Sequence, residues 1–160
     1  MKLKVLSVMA AVALLAACES APEDKGAATG TGAATAAQLG PQAGTQQDLV
    51  VNVGDRVFFD FDKYNLKSDM QKTLQAQAAW LKKHPGVQIV VEGHCDERGT
   101  REYNLALGER RANSVKDYLV ALGVSANRVT TISYGKERPV ALGHNDAAWT
   151  QNRRGVTAVR

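Results

Sequence analysis

Apolar and polar residues divide the 160-residue chain into three stretches. Val5 to Leu15 is a mostly apolar run of eleven residues placed behind Lys2 and Lys4. From Glu19 to about Asp48 large apolar residues almost vanish, and Ala, Gly, Thr and Gln dominate around Pro22 and Pro41. Periodic patterns begin only after Asp48. Arg56 to Phe61, rich in Val and Phe and bounded by Gly54-Asp55, predicts a first strand. From Ser68, Leu74, Ala78 and Leu81 recur on one helical stripe until His84-Pro85-Gly86 stops it. Val87 to Glu92 predicts a second strand. Tyr103 to Leu122 carries Ala112, Val115, Leu119 and Leu122 at helical spacing, with Gly123 as its stop. Val129 to Tyr134 predicts a third strand, and a loop with Gly135, Pro139 and Gly143 leads to a fourth at Arg154 to Val159. The order βαβαββ predicts an α/β sandwich of about 110 residues, with helices packed on a small mixed sheet.

The N-terminal run has the layout of a signal peptide over residues 1–17: a basic start, a short apolar stretch and small residues before the cut. It is too short for a spanning helix, which needs about 20 apolar residues. Leu15-Ala16-Ala17-Cys18 resembles the lipobox of bacterial lipoproteins. That resemblance implies that Cys18 becomes the lipidated first residue, carrying an S-diacylglycerol and an N-acyl chain. Each buried methylene contributes roughly 0.8 kcal/mol of membrane affinity and stable anchoring takes two chains, a condition this lipid meets. Glu19 follows the cysteine, where an aspartate commonly retains such proteins in the inner membrane. The expected location is therefore the outer membrane, with the folded part in the periplasm.

Residues 18–48 then read as the lipidated cysteine and a flexible linker, because they hold too little apolar surface to offset the entropy of ordering. Such a segment spans on the order of 100 Å when fully extended and roughly 30 Å as a relaxed coil. The formal charge of +4 falls to +2 once Lys2 and Lys4 are lost with the signal peptide. That is too small a positive charge to indicate nucleic acid as a partner. Cys95 is left without a second cysteine, so there is no disulfide framework.

The densest polar chemistry follows the second strand. Glu92-Gly93-His94-Cys95-Asp96-Glu97-Arg98-Gly99-Thr100 runs into Tyr103-Asn104-Leu105-Ala106-Leu107-Gly108-Glu109-Arg110-Arg111-Ala112. A strand end, a glycine-containing loop and a helix start meet there, at the carboxyl end of a strand where open α/β folds often place ligands. Asn104, Leu107 and Arg111 share one helix face at i, i+3 and i+7. Taken alone, Asp96 is as well explained by capping the loop, Arg110 and Arg111 by a solvated helix face, and Leu107 by the core.

Phe59-Asp60-Phe61-Asp62-Lys63-Tyr64, Gly93-His94 with Asp96-Glu97-Arg98-Gly99-Thr100, and Leu107-Gly108-Glu109-Arg110-Arg111-Ala112 together resemble the peptidoglycan-associated lipoproteins of the OmpA-like family. Ser133-Tyr134-Gly135-Lys136 and Asn152-Arg153-Arg154 extend the likeness to the C-terminus, and residues 49–160 form the expected OmpA-like domain. The resemblance implies non-covalent binding of the diaminopimelate stem peptide of peptidoglycan and no enzymatic activity. It assigns the ligand ammonium to Asp96 and the ligand carboxylate to Arg111, whose planar fork lysine cannot copy. Asn104 would add a hydrogen bond or shape the loop, Leu107 would give an apolar wall, and Phe61 with Asp62 would close the far side from the first strand. Arg153 and Arg154 would brace the site or the fold. The periplasmic TolB protein of the Tol-Pal system, which draws the outer membrane inward at division, is the partner implied by resemblance.

Other readings are weaker. His94 beside Cys95 invites a thiol hydrolase, yet neighbouring strand residues point to opposite faces and no triad pattern surrounds them. Cys95 reads as small packing. No metal or cofactor is expected, because His94, Cys95 and Asp96 are consecutive and His84 and His144 lie far off. A porin-type or flagellar-stator anchor of the same family needs a barrel or a spanning helix, for which this chain lacks space.

Overall fold

The computed structural model describes residues 40–160; the expected signal peptide, Cys18 and the expected linker up to position 39 lie outside them. In chain order the elements are α1 (Gln46–Asn52), β1 (Arg56–Phe58), α2 (Ser68–Lys83), β2 (Ile89–His94), α3 (Arg101–Ala121), β3 (Val129–Gly135), α4 (Asp146–Asn152) and β4 (Arg154–Val159). A single 3-10 turn, Ala126–Arg128, leads into β3. The six predicted strands and helices are all present, and α1 and α4 are additions to them.

The sheet has the order β1-β4-β2-β3. β2 and β3 run parallel, joined by α3 as a crossover, whereas β4 is antiparallel to both β1 and β2. This makes it the small mixed sheet expected from the sequence. Val91 alternates with the half-buried Val90 and Glu92, as a strand with one face on the core requires. Leu74 and Leu81 of α2 and Val115 and Leu119 of α3 meet Ile89 and Val91 in that core, all at 0 to 1 % exposure. Burying each such side chain contributes about 1.5 to 3 kcal/mol.

Several boundaries differ from the sequence reading for local reasons. The linker was expected to reach Asp48, but Thr45 accepts a hydrogen bond from the Asp48 amide and caps a helix that starts at Gln46. Gln46 then bonds both Thr157 and Val159, so the ordered domain begins before position 49. β1 stops at Phe58 instead of Phe61, because Lys63 donates to the Asp60 carbonyl and Asp62 takes φ +57°. Phe61 and Asp62 therefore lie in a turn after the strand and not on it. The 136–153 segment is not a plain loop: Asn145 caps α4 by accepting from the Ala148 amide.

Two glycines set how closely α3 approaches the sheet. A methyl group on Gly93 would lie 1.8 Å from the Gly108 carbonyl oxygen, and one on Gly108 would lie 2.3 Å from Ser133 Oγ. Only bare backbones allow this contact. It seats the N-terminal half of α3 directly over the end of β2, which is where the polar motif sits.

Candidate functional site

The end of β2, the 95–100 loop, the first three turns of α3 and the turn after β1 enclose a cavity of about 180 Å³. All six residues selected from the sequence line it: Phe61, Asp62, Asp96, Asn104, Leu107 and Arg111. Cys95, Arg98, Gly99, Tyr103 and Arg153 complete the wall.

Asp96 is 3 % exposed. Its Oδ1 accepts from the Arg98 amide (3.1 Å) and Arg98 Nε (3.3 Å), and its Oδ2 accepts from Arg98 Nη2 (2.6 Å) and Arg153 Nη1 (3.2 Å). Four bonds fill the acceptor capacity of a carboxylate. Burial pushes the Asp96 carboxyl up, but the Arg98 and Arg153 bonds outweigh it and hold the group below its ordinary value. The loop that carries it turns at Gly99, φ +93°. Asn104 closes that loop by donating from Nδ2 to the carbonyls of Arg98 (2.8 Å) and Thr100 (3.0 Å). Of the two roles open to Asn104, its bonds serve the second, shaping the loop. Lys136 adds bonds to the Gly99 and Glu97 carbonyls.

Arg111 is 0 % exposed, so the solvated-face reading of this residue is overturned. Its Nε donates to the Lys63 carbonyl (2.8 Å), Nη1 to His94 (2.8 Å) and Nη2 to Asp60 (3.1 Å). These bonds staple the turn after β1 to the end of β2. Burial lowers the pKa of the guanidinium, and the nearby Asp96 charge opposes that shift. Among the described residues no carboxylate forms an ion pair with it, whereas Asp96 is paired with both Arg98 and Arg153. Its Nε, Nη1 and Nη2 each donate to one backbone carbonyl. The cavity wall therefore holds three guanidinium groups against two carboxylates.

Arg98 belongs to the motif, and the resemblance assigns it no role. Its guanidinium carbon lies 4.0 Å from the Phe61 ring centre and 4.1 Å from that of Trp149, so two aromatic faces clasp it. Trp149, on the unforeseen α4, is fixed by donating Nε1 to Glu97 (2.8 Å), and the other Glu97 oxygen meets His144 Nδ1 at 2.7 Å. Only the Asn145-Asp146 start signal marked this helix in the sequence. Arg153 braces the site, joining Asp96, the Phe59 carbonyl and Thr150. Arg154 braces the fold instead, through the Asn152 and Arg138 carbonyls. On the far side, Asp62 accepts the Tyr103 hydroxyl.

His94 and Cys95 diverge as strand neighbours should. His94 packs on Tyr134 outside the cavity, while Cys95 lies in the wall with its thiol on the Asn104 carbonyl at 3.3 Å. Burial raises that thiol to about 11 and lowers His94 to about 3, so neither has the protonation state of a nucleophile–base pair.

The chain matches the OmpA family over residues 58–153. With the relatives that follow, this places it in that family, in the branch of the peptidoglycan-associated lipoproteins. It is 54 % identical to the peptidoglycan-associated lipoprotein of Rhizobium meliloti strain 1021 over 91 % of this chain and 81 % of that one. It is 46 % identical to the same-named protein of Pasteurella multocida over 97 % of this chain and 96 % of that one. The crystal structure of the peptidoglycan-associated lipoprotein from Burkholderia pseudomallei superposes with a TM-score of 0.65 at 48 % identity, covering 66 % of this chain and 90 % of that one. The C-terminal domain of Helicobacter pylori MotB shares the fold at a TM-score of 0.62 and 25 % identity, over 66 % of this chain and 84 % of that one. These relatives form a structural, binding family and not an enzyme family.

Proposed function

We propose that the chain is an outer-membrane lipoprotein, anchored through lipid on Cys18, whose domain binds the diaminopimelate stem peptide of peptidoglycan without covalent linkage. The observation that carries this reading is the pairing, in one small cavity, of the Asp96 carboxylate with a buried Arg111 guanidinium that has no carboxylate partner, beside the apolar walls of Leu107 and Phe61. A zwitterionic end group matches that set: ammonium toward Asp96, carboxylate toward the Arg111 guanidinium. Charge-assisted bonds contribute about 1.5 to 3 kcal/mol each, and association costs at least about 4 kcal/mol. One site is therefore weak to moderate. Many anchored copies facing one continuous polymer hold through multivalency. The relatives' name, peptidoglycan-associated lipoprotein, supports the same role, and membership of the Tol-Pal system with TolB as periplasmic partner extends it.

The test is co-sedimentation of the detergent-solubilised chain with isolated sacculi, with and without excess free meso-diaminopimelate. Pelleting that free diaminopimelate abolishes and lysine leaves intact supports the proposal; a parent chain that stays in solution refutes it. For TolB, competition with sacculi for the immobilised chain separates one shared surface from two independent ones.

A further inference from the structure

We propose that Arg98 is an internal competitor for the ligand ammonium: it occupies the Asp96 carboxylate in the empty protein and must leave that carboxylate before an ammonium can bind. This rests on the functional reading above and adds a residue that sets its affinity and selectivity.

Three observations carry it. Asp96 already accepts four hydrogen bonds, three of them from Arg98, and a carboxylate has no fifth position of comparable quality. Arg98 is also the outermost of its partners: its side chain is 33 % exposed, against 11 % for Arg153 and 4 % for Asp96. Any group approaching from solvent meets Arg98 first. Finally, the Arg98 guanidinium carbon lies 4.0 and 4.1 Å from the Phe61 and Trp149 ring centres while it is bonded to Asp96. Attraction to those aromatic faces does not require the carboxylate, so a cation that shifts off Asp96 along them loses the ion pair without losing all of its partners.

The charge balance points the same way. With Arg98, Arg111 and Arg153 in the wall, an incoming ammonium would be the fourth cation against two acids, Asp62, which accepts the Tyr103 hydroxyl, and the saturated Asp96. Exchange of one cation for another at Asp96 keeps the local charge constant, whereas addition does not. A ligand end without an ammonium has nothing to exchange. The Arg98–Asp96 pair therefore selects ligands able to replace it and lowers the affinity of those that do.

The experiment is isothermal titration of the detergent-solubilised parent chain, Arg98→Ala and Arg98→Gln with two synthetic stem peptides. One ends in meso-diaminopimelate, and the other has 2-aminopimelate in its place, which lacks the side-chain ammonium. The expected result is about tenfold tighter binding of the diaminopimelate peptide to both variants, with a clearly smaller gain for the 2-aminopimelate peptide. Arg98→Gln keeps the bulk between the rings, so agreement of the two variants separates charge from packing, and thermal melts verify that both fold. Equal gains for both peptides overturn the proposal in favour of simple steric obstruction. Loss of affinity overturns it in favour of Arg98 holding the ligand directly. A parent that binds neither peptide refutes the peptidoglycan reading and the competitor with it, while a parent that binds with no gain in either variant refutes the competitor alone.

Discussion

Replacing Arg111 by lysine should destabilise the folded domain before any ligand is considered. The arginine spreads three bonds over the carbonyls of Asp60, Lys63 and His94, which belong to two separate segments. Lysine keeps the charge but concentrates its donors at one atom and cannot span that triangle. Two orphaned carbonyls at about 1 to 3 kcal/mol each set the scale. The bonds to Lys63 and Asp60 are only part-buried, so water recovers part of it, leaving a loss of about 2 to 4 kcal/mol for Arg111→Lys and about 3 to 5 kcal/mol for Arg111→Ala. Domains hold only about 5 to 15 kcal/mol in total. Urea unfolding with a slope of about 2 kcal/mol/M places the Arg111→Lys midpoint about 1 to 2 M below the parent. An unchanged slope and a midpoint within about 0.3 M of the parent would refute the stapling role. It would also restore Arg111 as a residue committed to ligand alone. Loss of sacculus binding in Arg111→Ala therefore counts for the site only when the variant is measured well inside its folded range.

Gly93→Ala forces a methyl group to 1.8 Å from the Gly108 carbonyl, so α3 must move off β2; a loss of about 3 kcal/mol or more is expected from urea unfolding, and a near-parental midpoint refutes the close approach. His94 is held neutral in the fold, its pKa lowered to about 3 from 6.5 by burial and then by the Arg154 and Arg138 charges. Because the unfolded chain takes up that proton first, stability falls as pH drops from 6.5 toward 3; unfolding midpoints between pH 6.5 and 4.5 should slope less in His94→Phe than in the parent, and identical slopes refute it. Asp48 accepts from Asn52, Gly44 and Trp80 Nε1, bonds that hold its carboxyl below the ordinary 3.8. Its contribution is present above that value and lost as pH falls through the lowered one, so Asp48→Ala should lower the melting temperature at pH 7 by several degrees and erase the acid transition seen by Trp80 fluorescence.

What the sequence made legible was whatever repeats or punctuates. α2 and α3 follow from apolar spacing, over about two turns from Leu74 to Leu81 and about three from Ala112 to Leu122, and their ends from His84-Pro85-Gly86 and from Gly123, which takes φ +90° just past the helix. α1 and α4 are seven residues each with a single strongly buried apolar side chain apiece, Leu49 and Ala148. No periodicity can be read from one contact, and only the caps at Thr45 and Asn145 mark them. The site separates in the same way. Asp96, Asn104, Leu107 and Arg111 lie within sixteen positions, on one loop and one helix face whose geometry spacing constrains. Arg153 reaches the cavity wall, and Trp149 reaches Arg98 and Glu97, from some fifty positions past Asp96, and their approach depends on tertiary packing that no local pattern encodes. The role of Arg98 was hidden for another reason. Two positions from Asp96 it looks like any surface charge, and its two aromatic neighbours come from opposite ends of the domain.

On the proposed function, the competitor and the tether serve one mechanical purpose. A wall anchor that bound each stem peptide as tightly as its charges allow would fix the membrane to one patch of polymer. Arg98 on Asp96 shortens each contact by offering the carboxylate an internal partner whenever the ligand loosens. Dissociation carries most of the affinity change in such cases, so residence time falls while encounter stays fast. The lost hold returns through the number of anchored copies, since a released domain that stays anchored finds another stem peptide nearby. The load then enters the domain at α1, where Gln46 grips the end of β4 and Asp48 grips Trp80 of α2. Tension on the linker therefore pulls on bonds to two core elements, away from the cavity on the 95–100 loop. A site that lets go readily and an attachment that does not together permit the two layers to slide without detaching.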